Sequence, residues 1–352
     1  MTKMETKHWN VDKSGITEKN YPQIKEAAGL IQAGEVVAFP TETVYGLGGQ
    51  VKMDSAVQKI FTAKGRPSDN PLIVHIAERD DVDNLAEKIP DYAQKLMDAF
   101  WPGPLTIIVP KKDGVLSELV TAGLDTVAIR MPDHPAALAI IKETGIPVAA
   151  PSANRSGKPS PTKAAHVIDD LNGRIAGVVD GGETGVGLES TVVDCTGPFP
   201  VILRPGGVTQ ADIEAVAGKV GTESGMKNKE ETPKSPGMKY THYAPEAPLY
   251  LIEGTTAQIQ QKINELRAEG NKVGVLATEE SRSFYAADTI ISCGRRADLE
   301  SVAKSLYGAL RSFNEHPVDL ILAETFPSEG VGAAIMNRLE KAAGGRWLKK
   351  VD

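Results

Sequence analysis

The chain has 352 residues, 41% of them hydrophobic and 24% charged, with a formal net charge of -7. That length suggests two domains of ordinary globular composition, and the negative total argues against a tight binder of nucleic-acid backbone, although a single basic cleft would not show in it. The two cysteines, Cys195 and Cys293, lie far apart without C-x-x-C spacing, so neither a disulfide framework nor a zinc site is expected. The polar N-terminus lacks the apolar core of a signal peptide, and no apolar run reaches the ~18 residues of a membrane span. The cytoplasm is the expected compartment, with no membrane association.

Residues 21–33 carry helical spacing, and V-V-A-F at 36–39 reads as a buried strand. The strand runs into F-P-T-E-T-V-Y-G-L-G (39–48), a hydroxyl-rich turn that closes on glycines. Such a turn offers N–H and hydroxyl donors to an anion, or is a plain capped strand exit. Asp54 is placed to cap a helix whose core face carries Val57, Ile60 and Phe61. Next comes K-G-R-P-S-D-N-P (64–71), with Lys64 and Arg66 on a stretch stiffened by prolines. Stiffness lowers the entropy lost in clamping a phosphate; a solvated basic turn is the plainer alternative. In the strand expected over 72–76, alternation sets Leu72, Val74 and Ile76 on one face and His75 on the other.

A helix over 92–100 and a strand over 105–109 precede T-V-A-I-R-M-P (126–132). Period 2 puts Thr126, Ala128 and Arg130 on one face, and Val127, Ile129 and Met131 on the other, toward the core. Arg130 there suits a two-pronged contact with a carboxylate ligand, or a structural ion pair with a protein carboxylate. A helix over 135–143 and a strand over 148–150 lead into P-S-A-N-R-S-G (151–157), with Ser160 just beyond. After a helix over 162–171, strands are expected over 178–179, 190–194 (entered by L-E-S-T) and 201–204, the last ending in L-R-P-G, and then a helix over 209–217. The recurring theme is a strand, then Arg, Ser or Thr, then Gly or Pro. It gathers cations and hydroxyls at strand ends, where open α/β sheets place ligands. Strands this numerous and irregularly spaced indicate a mixed twisted sheet with helices. There is no G-x-x-x-x-G-K-[ST], no G-x-G-x-x-G within 181–187 and no H-E-x-x-H.

From Gly218 the composition shifts to Gly, Ser, Lys, Glu and Pro, ending near Pro236, as in a linker. Its end, 238–245, holds two tyrosines and a histidine, which suits either a lid over a reactive site or an aromatic docking patch. Beyond it, strands over 249–252, 273–277, 289–292 and 320–323 alternate with helices over 256–268, 298–314 and 331–341, the pattern of a small doubly wound α/β domain. The expected organisation is 1–217, a linker or lid over 218–247, and 248–352.

In this order, F-P-T-E-T-V-Y-G-L-G, K-G-R-P-S-D-N-P-L, A-I-R-M-P, P-S-A-N, L-E-S-T-V-V-D and L-R-P-G resemble the YrdC/Sua5 family. K-Y-T-H-Y-A-P at 239–245, ahead of a doubly wound domain, is similar to the longer Sua5-type members. The resemblance implies a YrdC-type α/β fold, a twisted mixed sheet with a concave cavity, followed by a Rossmann-like Sua5 domain. It implies a nucleotidyltransferase that makes threonylcarbamoyl-AMP from ATP, bicarbonate and L-threonine. The product is handed to the machinery that builds threonylcarbamoyladenosine at position 37 of tRNAs reading ANN codons. By the same resemblance, L-threonine falls to Thr43, His75, Arg130 and Ser190. ATP falls to Arg66, Asn70, Thr126, Ala150, Ser152, Ser160, Arg204 and Tyr243, with Lys64 as a phosphate ligand.

On that basis Lys64, Arg66 and Arg204 are the expected stabilisers of phosphate charge. Mg²⁺ is expected to ride on phosphate oxygens rather than in a carboxylate cage. No general base stands out. Two other readings are an RNA-binding module without catalysis, against which the net charge argues mildly, and a carbamoyl transferase, which usually carries acylphosphatase and zinc-finger segments that this chain has no room for. No stable nucleic-acid complex is expected.

Overall fold

The computed structural model describes residues 5–12, 21–222 and 242–348. They form two compact units: the first holds the residues up to 222 except 157–160 and 186–188, which group with the second, 242–348.

The first unit runs β1 (Lys7–Asn10), α1 (Pro22–Gln32), β2 (Val37–Phe39), β3 (Gly46–Gln50), α2 (Asp54–Lys64), β4 (Ile73–His75), α3 (Asp91–Phe100), β5 (Leu105–Pro110), α4 (Glu118–Thr121), β6 (Thr126–Arg130), α5 (Pro135–Thr144), β7 (Val148–Ala149), α6 (Ala164–Leu171), β8 (Gly177–Asp180), β9 (Thr191–Asp194), β10 (Val201–Arg204), α7 (Gln210–Ala217) and β11 (Gly221–Thr222). Among the described residues the strands order as β1-β8-β2-β3-β7-β4-β6-β5-β9-β10-β11. Parallel and antiparallel pairs are mixed along this sheet. The main core gathers Val74, Ile76, Val127 and Ile129 with Ile60 and Phe61 of α2. Ile73 and Ala128 lie in a separate cluster with Ile108 and Val192. The alternation expected for β4 and β6 is therefore realised, but both faces of this part of the sheet are buried.

Three local expectations are corrected. The residue capping α2 is Met53, without a side-chain bond; Asp54 sits in the first turn, where its charge meets the positive end of the helix dipole. The glycine-closed turn ends one element earlier than expected, because 46–50 is strand β3. Glycines are poor strand formers, yet here they are needed: a Cβ on Gly48 would come within 2.5 Å of the Phe39 ring and 2.9 Å of Val148. Inside the stretch expected as linker, β11 pairs in parallel with β10. Residues 223–241, most of that linker and the first part of the expected lid, lie outside the described residues.

The second unit contains β12 (Leu249–Ile252), α8 (Thr256–Ala268), β13 (Val273–Ala277), β14 (Thr289–Ser292), α9 (Leu299–Ser312), β15 (Leu320–Glu324), α10 (Val331–Ala343) and β16 (Trp347–Leu348). Its sheet, β14-β13-β15-β12-β16, is parallel at every pairing. Crossover helices cover such a sheet, which explains the apolar runs V-G-V-L-A and L-I-L-A. No helix among the described residues is long and apolar enough to cross a membrane. Cys195 and Cys293 are both buried and free.

Candidate active site

Register alone divides the candidate residues of the first unit into two groups. β4 and β6 run parallel with His75 beside Arg130. β5 runs against β6, with Ile107 opposite Ile129, so Leu105 starts level with the end of β6. Leu105 is beside Thr191, and Val192 is opposite Arg204. His75, Arg130, Ser190 and Arg204 thus meet where β4, β6 and β10 end and β5 and β9 begin. Asn70 lies just before the start of β4 and Thr126 is the first residue of β6, with Lys64 and Arg66 on the same approach to β4. Four residue-to-residue steps of strand carry the chain from Thr126 to Arg130, about 13 Å.

At the His75 end, the Ser190 hydroxyl bonds to the Thr106 hydroxyl at 2.7 Å. Arg204 donates to the Ser190 carbonyl through Nε (3.1 Å) and Nη2 (3.0 Å), and through Nη2 to Ser190 Oγ (3.2 Å). Arg130 Nε donates to the Gly103 carbonyl at 3.3 Å. Its Nη2 lies 2.6 Å from Glu42, in the loop between β2 and β3. In that loop the Thr41 hydroxyl donates to the Val44 carbonyl at 2.6 Å. Its hydrogen is thereby used, so in the 2.8 Å contact between Thr41 and Thr43 the Thr43 hydroxyl is the donor. Thr43 keeps its lone pairs for a partner.

His75 is 3% exposed. Burial, and then the Arg130 charge, hold its pKa down at about 3, so the ring is neutral near pH 7. Its Nδ1 lies 3.2 Å from the Ile73 carbonyl. A neutral ring beside a carbonyl carries its proton on that nitrogen, which leaves Nε2 as an acceptor.

At the other end, Lys64 Nζ donates to the carbonyls of Ser152 and Asn154 (the latter 2.8 Å) and to Asn154 Oδ1 at 3.3 Å. Ser152 Oγ donates to the same Asn154 oxygen at 2.6 Å. The three N–H donors of an ammonium thus have acceptors within the P-S-A-N loop. Lys64 acts first as the clamp of that loop, a role its position in K-G-R-P-S-D-N did not announce. Arg66 Nη2 donates to the carbonyls of Asn70 (3.2 Å) and Pro71 (3.1 Å). Asn70 is buried, with no hydrogen-bond partner on its Oδ1. Ala150 N donates to the Ile73 carbonyl at 2.9 Å, fixing the strand exit between the two groups.

Ser160 and Tyr243 group with the second unit. Tyr243 takes a positive φ of 67°, its ring packs 5.2 Å from that of Tyr307, and the Arg338 guanidinium lies 5.9 Å from it. Of the expected lid, 242–245 is described, and Tyr243 is the residue packed in this way.

Sequence reasoning missed Glu42 and Gly206. Glu42 stood inside a quoted motif, and a carboxylate between two threonines after a buried strand was the available signal. A Cβ on Gly206 would meet Thr191 N and Glu189 O, and come within 2.5 Å of Ser190 C. The close backbone approach places the L-R-P-G turn against Ser190. Gly206→Ala is expected to displace Ser190 and Arg204 together, costing about 1–3 kcal/mol in stability. Thermal melts and the threonine dependence of turnover check this: an unchanged melt with unchanged threonine dependence contradicts it.

The arrangement defines a class: an α/β protein whose mixed sheet holds arginines, hydroxyls and a neutral histidine at its strand ends, as ligand-binding enzymes of this architecture do. The family model Sua5_yciO_yrdC, described as "Telomere recombination", matches residues 29–206, and Sua5_C, the C-terminal domain of threonylcarbamoyl-AMP synthase, matches 208–344. The chain belongs to the Sua5/YrdC family. It is 60% identical to the threonylcarbamoyl-AMP synthase of Bacillus subtilis (strain 168), covering 98% of this chain and 100% of that one. It is 48% identical to that of Pyrococcus abyssi (strain GE5 / Orsay), covering 93% and 96%. The crystal structure of P. abyssi Sua5 complexed with L-threonine superposes with a TM-score of 0.90 at 46% identity, over 97% of this chain and 99% of that one.

Proposed function

We propose that this chain is a threonylcarbamoyl-AMP synthase. It joins L-threonine, bicarbonate and ATP into threonylcarbamoyl-AMP and pyrophosphate, and its product goes to the threonylcarbamoyl-transfer machinery for position 37 of tRNAs reading ANN codons. The observation that supports this most is the near-complete superposition on a Sua5 complexed with L-threonine. The division of residues by register fits it. Arg130 and Ser190 take the threonine carboxylate, the His75 acceptor takes the hydrogen of its hydroxyl, and Thr43 lies beside them as a further contact of the amino acid. Arg66, Asn70, Thr126 and the loop held by Lys64 take ATP.

The threonine ammonium first gives up a proton to solvent, and the neutral amine then combines with bicarbonate to give a carbamate with loss of water. A carbamate oxygen then bonds to the α-phosphorus as the bond from that phosphorus to the bridging oxygen of pyrophosphate breaks. Arg204 sits at the threonine end, where it can meet charge developing on the phosphoryl group. Holding both substrates between two ends of one strand pair supplies much of the rate. Mg²⁺, where it accompanies ATP, would be carried by phosphate oxygens, and its charge would offset that of the leaving pyrophosphate.

The test is pyrophosphate release from ATP, which is expected only when both threonine and bicarbonate are present. Release independent of either co-substrate overturns the proposal. Arg130→Ala is expected to raise the threonine requirement about 10- to 150-fold, the loss of a charge-assisted bond. It should change the ATP requirement far less; an equal change in both contradicts the assignment. An RNA-binding module would instead show salt-dependent RNA affinity and no pyrophosphate release.

A further inference from the structure

An amino-acid substrate carries two charges one carbon apart, and the site as derived answers only one of them. Arg130 suits the carboxylate; no group has been assigned to the α-ammonium. The loop between β2 and β3 brings a carboxylate to that place. Glu42 lies 2.6 Å from Arg130 Nη2, and the two side chains are only 12% and 5% exposed. Despite that approach, neither Glu42 oxygen nor Arg130 Nη2 has a hydrogen bond of acceptable angle. A guanidinium and carboxylate paired for structure normally form two parallel bonds. This pair touches without interlocking, as if the carboxylate fills a place made for another.

The surroundings favour an incoming cation. His75 is neutral, and Asp133 is close enough to Glu42 for the two carboxylates to repel: burial first, and then Glu42, raise the Asp133 pKa. Arg130 is thus set against Glu42, with Asp133 adding negative charge nearby. Thr41 and Thr43 bracket Glu42 and are tied into the loop by the Thr41 hydroxyl, which also accepts from the backbone amides of Thr43 and Val44 at 3.2 Å. The carboxylate is therefore carried on a fixed turn.

We propose that Glu42 is the substrate-binding residue for the α-ammonium of threonine, and that before substrate enters it holds the Arg130 guanidinium in its place. Entry of the zwitterion exchanges partners. The substrate carboxylate takes Arg130, the ammonium takes Glu42, and one poorly aligned ion pair becomes two. No buried charge is left uncompensated along the way, the condition that makes ion pairs tolerable in a low-dielectric site. The proposal rests on the reading that Arg130 binds the amino-acid carboxylate.

The experiment compares binding of L-threonine and of (R)-3-hydroxybutanoate, which keeps the carboxylate and hydroxyl but lacks the amine, to the full chain and its variants by calorimetry. The wild type is expected to prefer L-threonine by about 30-fold, as one charge-assisted bond allows. Glu42→Gln should cut that preference to about threefold or less by weakening L-threonine alone, and Glu42→Asp should keep much of it. Glu42→Gln that leaves threonine affinity unchanged, or weakens both ligands equally, overturns the proposal. Should Glu42→Gln not fold, Glu42→Asp carries the comparison: a preference lost although the carboxylate is retained and the fold intact counts against it. Arg130→Ala should weaken both ligands. If it weakens neither, the parent reading fails, whatever the Glu42 variants do.

Discussion

Replacing Lys64 by methionine is expected to lower turnover by about 10²- to 10³-fold, the scale of losing one pre-positioned charge from an active site. The chain length is kept and the charge is removed. The carbonyls of Ser152 and Asn154 and the Asn154 side-chain oxygen all lose a charged donor. Lys64 is 3% exposed, so water does not readily replace it. Each buried acceptor left unsatisfied costs about 1–3 kcal/mol, and the first unit should melt measurably earlier. Lys64→Arg should not restore activity, because a planar fork cannot reproduce three donors converging from one nitrogen. The defect should fall on ATP: the concentration needed for half-maximal rate rises steeply for ATP and little for threonine, whose residues lie at the far end of β4 and β6. Equal changes for both substrates, or rescue by arginine, would show that Lys64 does not act through the P-S-A-N loop at the ATP end.

The second large effect concerns acid. The pKa of His75 is about 3 in the folded chain against an ordinary 6.5. Between those values the unfolded chain binds a proton that the folded chain refuses, so stability rises with pH across that window. The contribution is complete above about pH 6.5 and is lost as pH falls toward 3, by up to about 1.4 kcal/mol per pH unit. His75→Asn, which cannot titrate, should unfold with a shallower acid dependence over this interval. Urea unfolding at several pH values, followed by the fluorescence of Trp9 and Trp101 in the first unit, measures the difference. Parallel pH profiles for the variant and wild type would mean that His75 is not the acid-sensitive group. Because the ring stays neutral near pH 7, the acid limb of activity should not follow an ordinary histidine.

Much of this was legible before the structure. The second unit reads element by element, since parallel strands covered by helices leave continuous apolar runs bounded by turns. Alternation in 72–76 and 126–132 gave the facing of His75 and Arg130. What local pattern could not give was pairing over long separations: Lys7 pairs with Gly177, and Lys64 reaches a loop almost ninety residues away. Strand β3 was hidden because its glycines serve the close approach of Phe39 and Val148 rather than any apolar periodicity. Glu42 stands inside a legible motif, but its meaning depends on Arg130, which only folding brings near.

Strand β1 precedes the part of the chain matched by the family model, which begins at residue 29, yet it pairs with β8 along four residues and Trp9 joins a buried cluster with Val37 and Val179. A shortened version starting near residue 29 would keep the ATP and threonine groups while leaving the β8 edge open, with a row of unsatisfied backbone donors and acceptors. Open edges of that kind invite pairing between molecules. Yet β1 is itself the last strand of this sheet among the described residues, so its loss only moves the edge inward. The heavier loss is that a cut near residue 29 divides α1 and removes Ile24 and Ala27 from the same buried cluster, which makes the boundary suggested by family matching a poor place to cut.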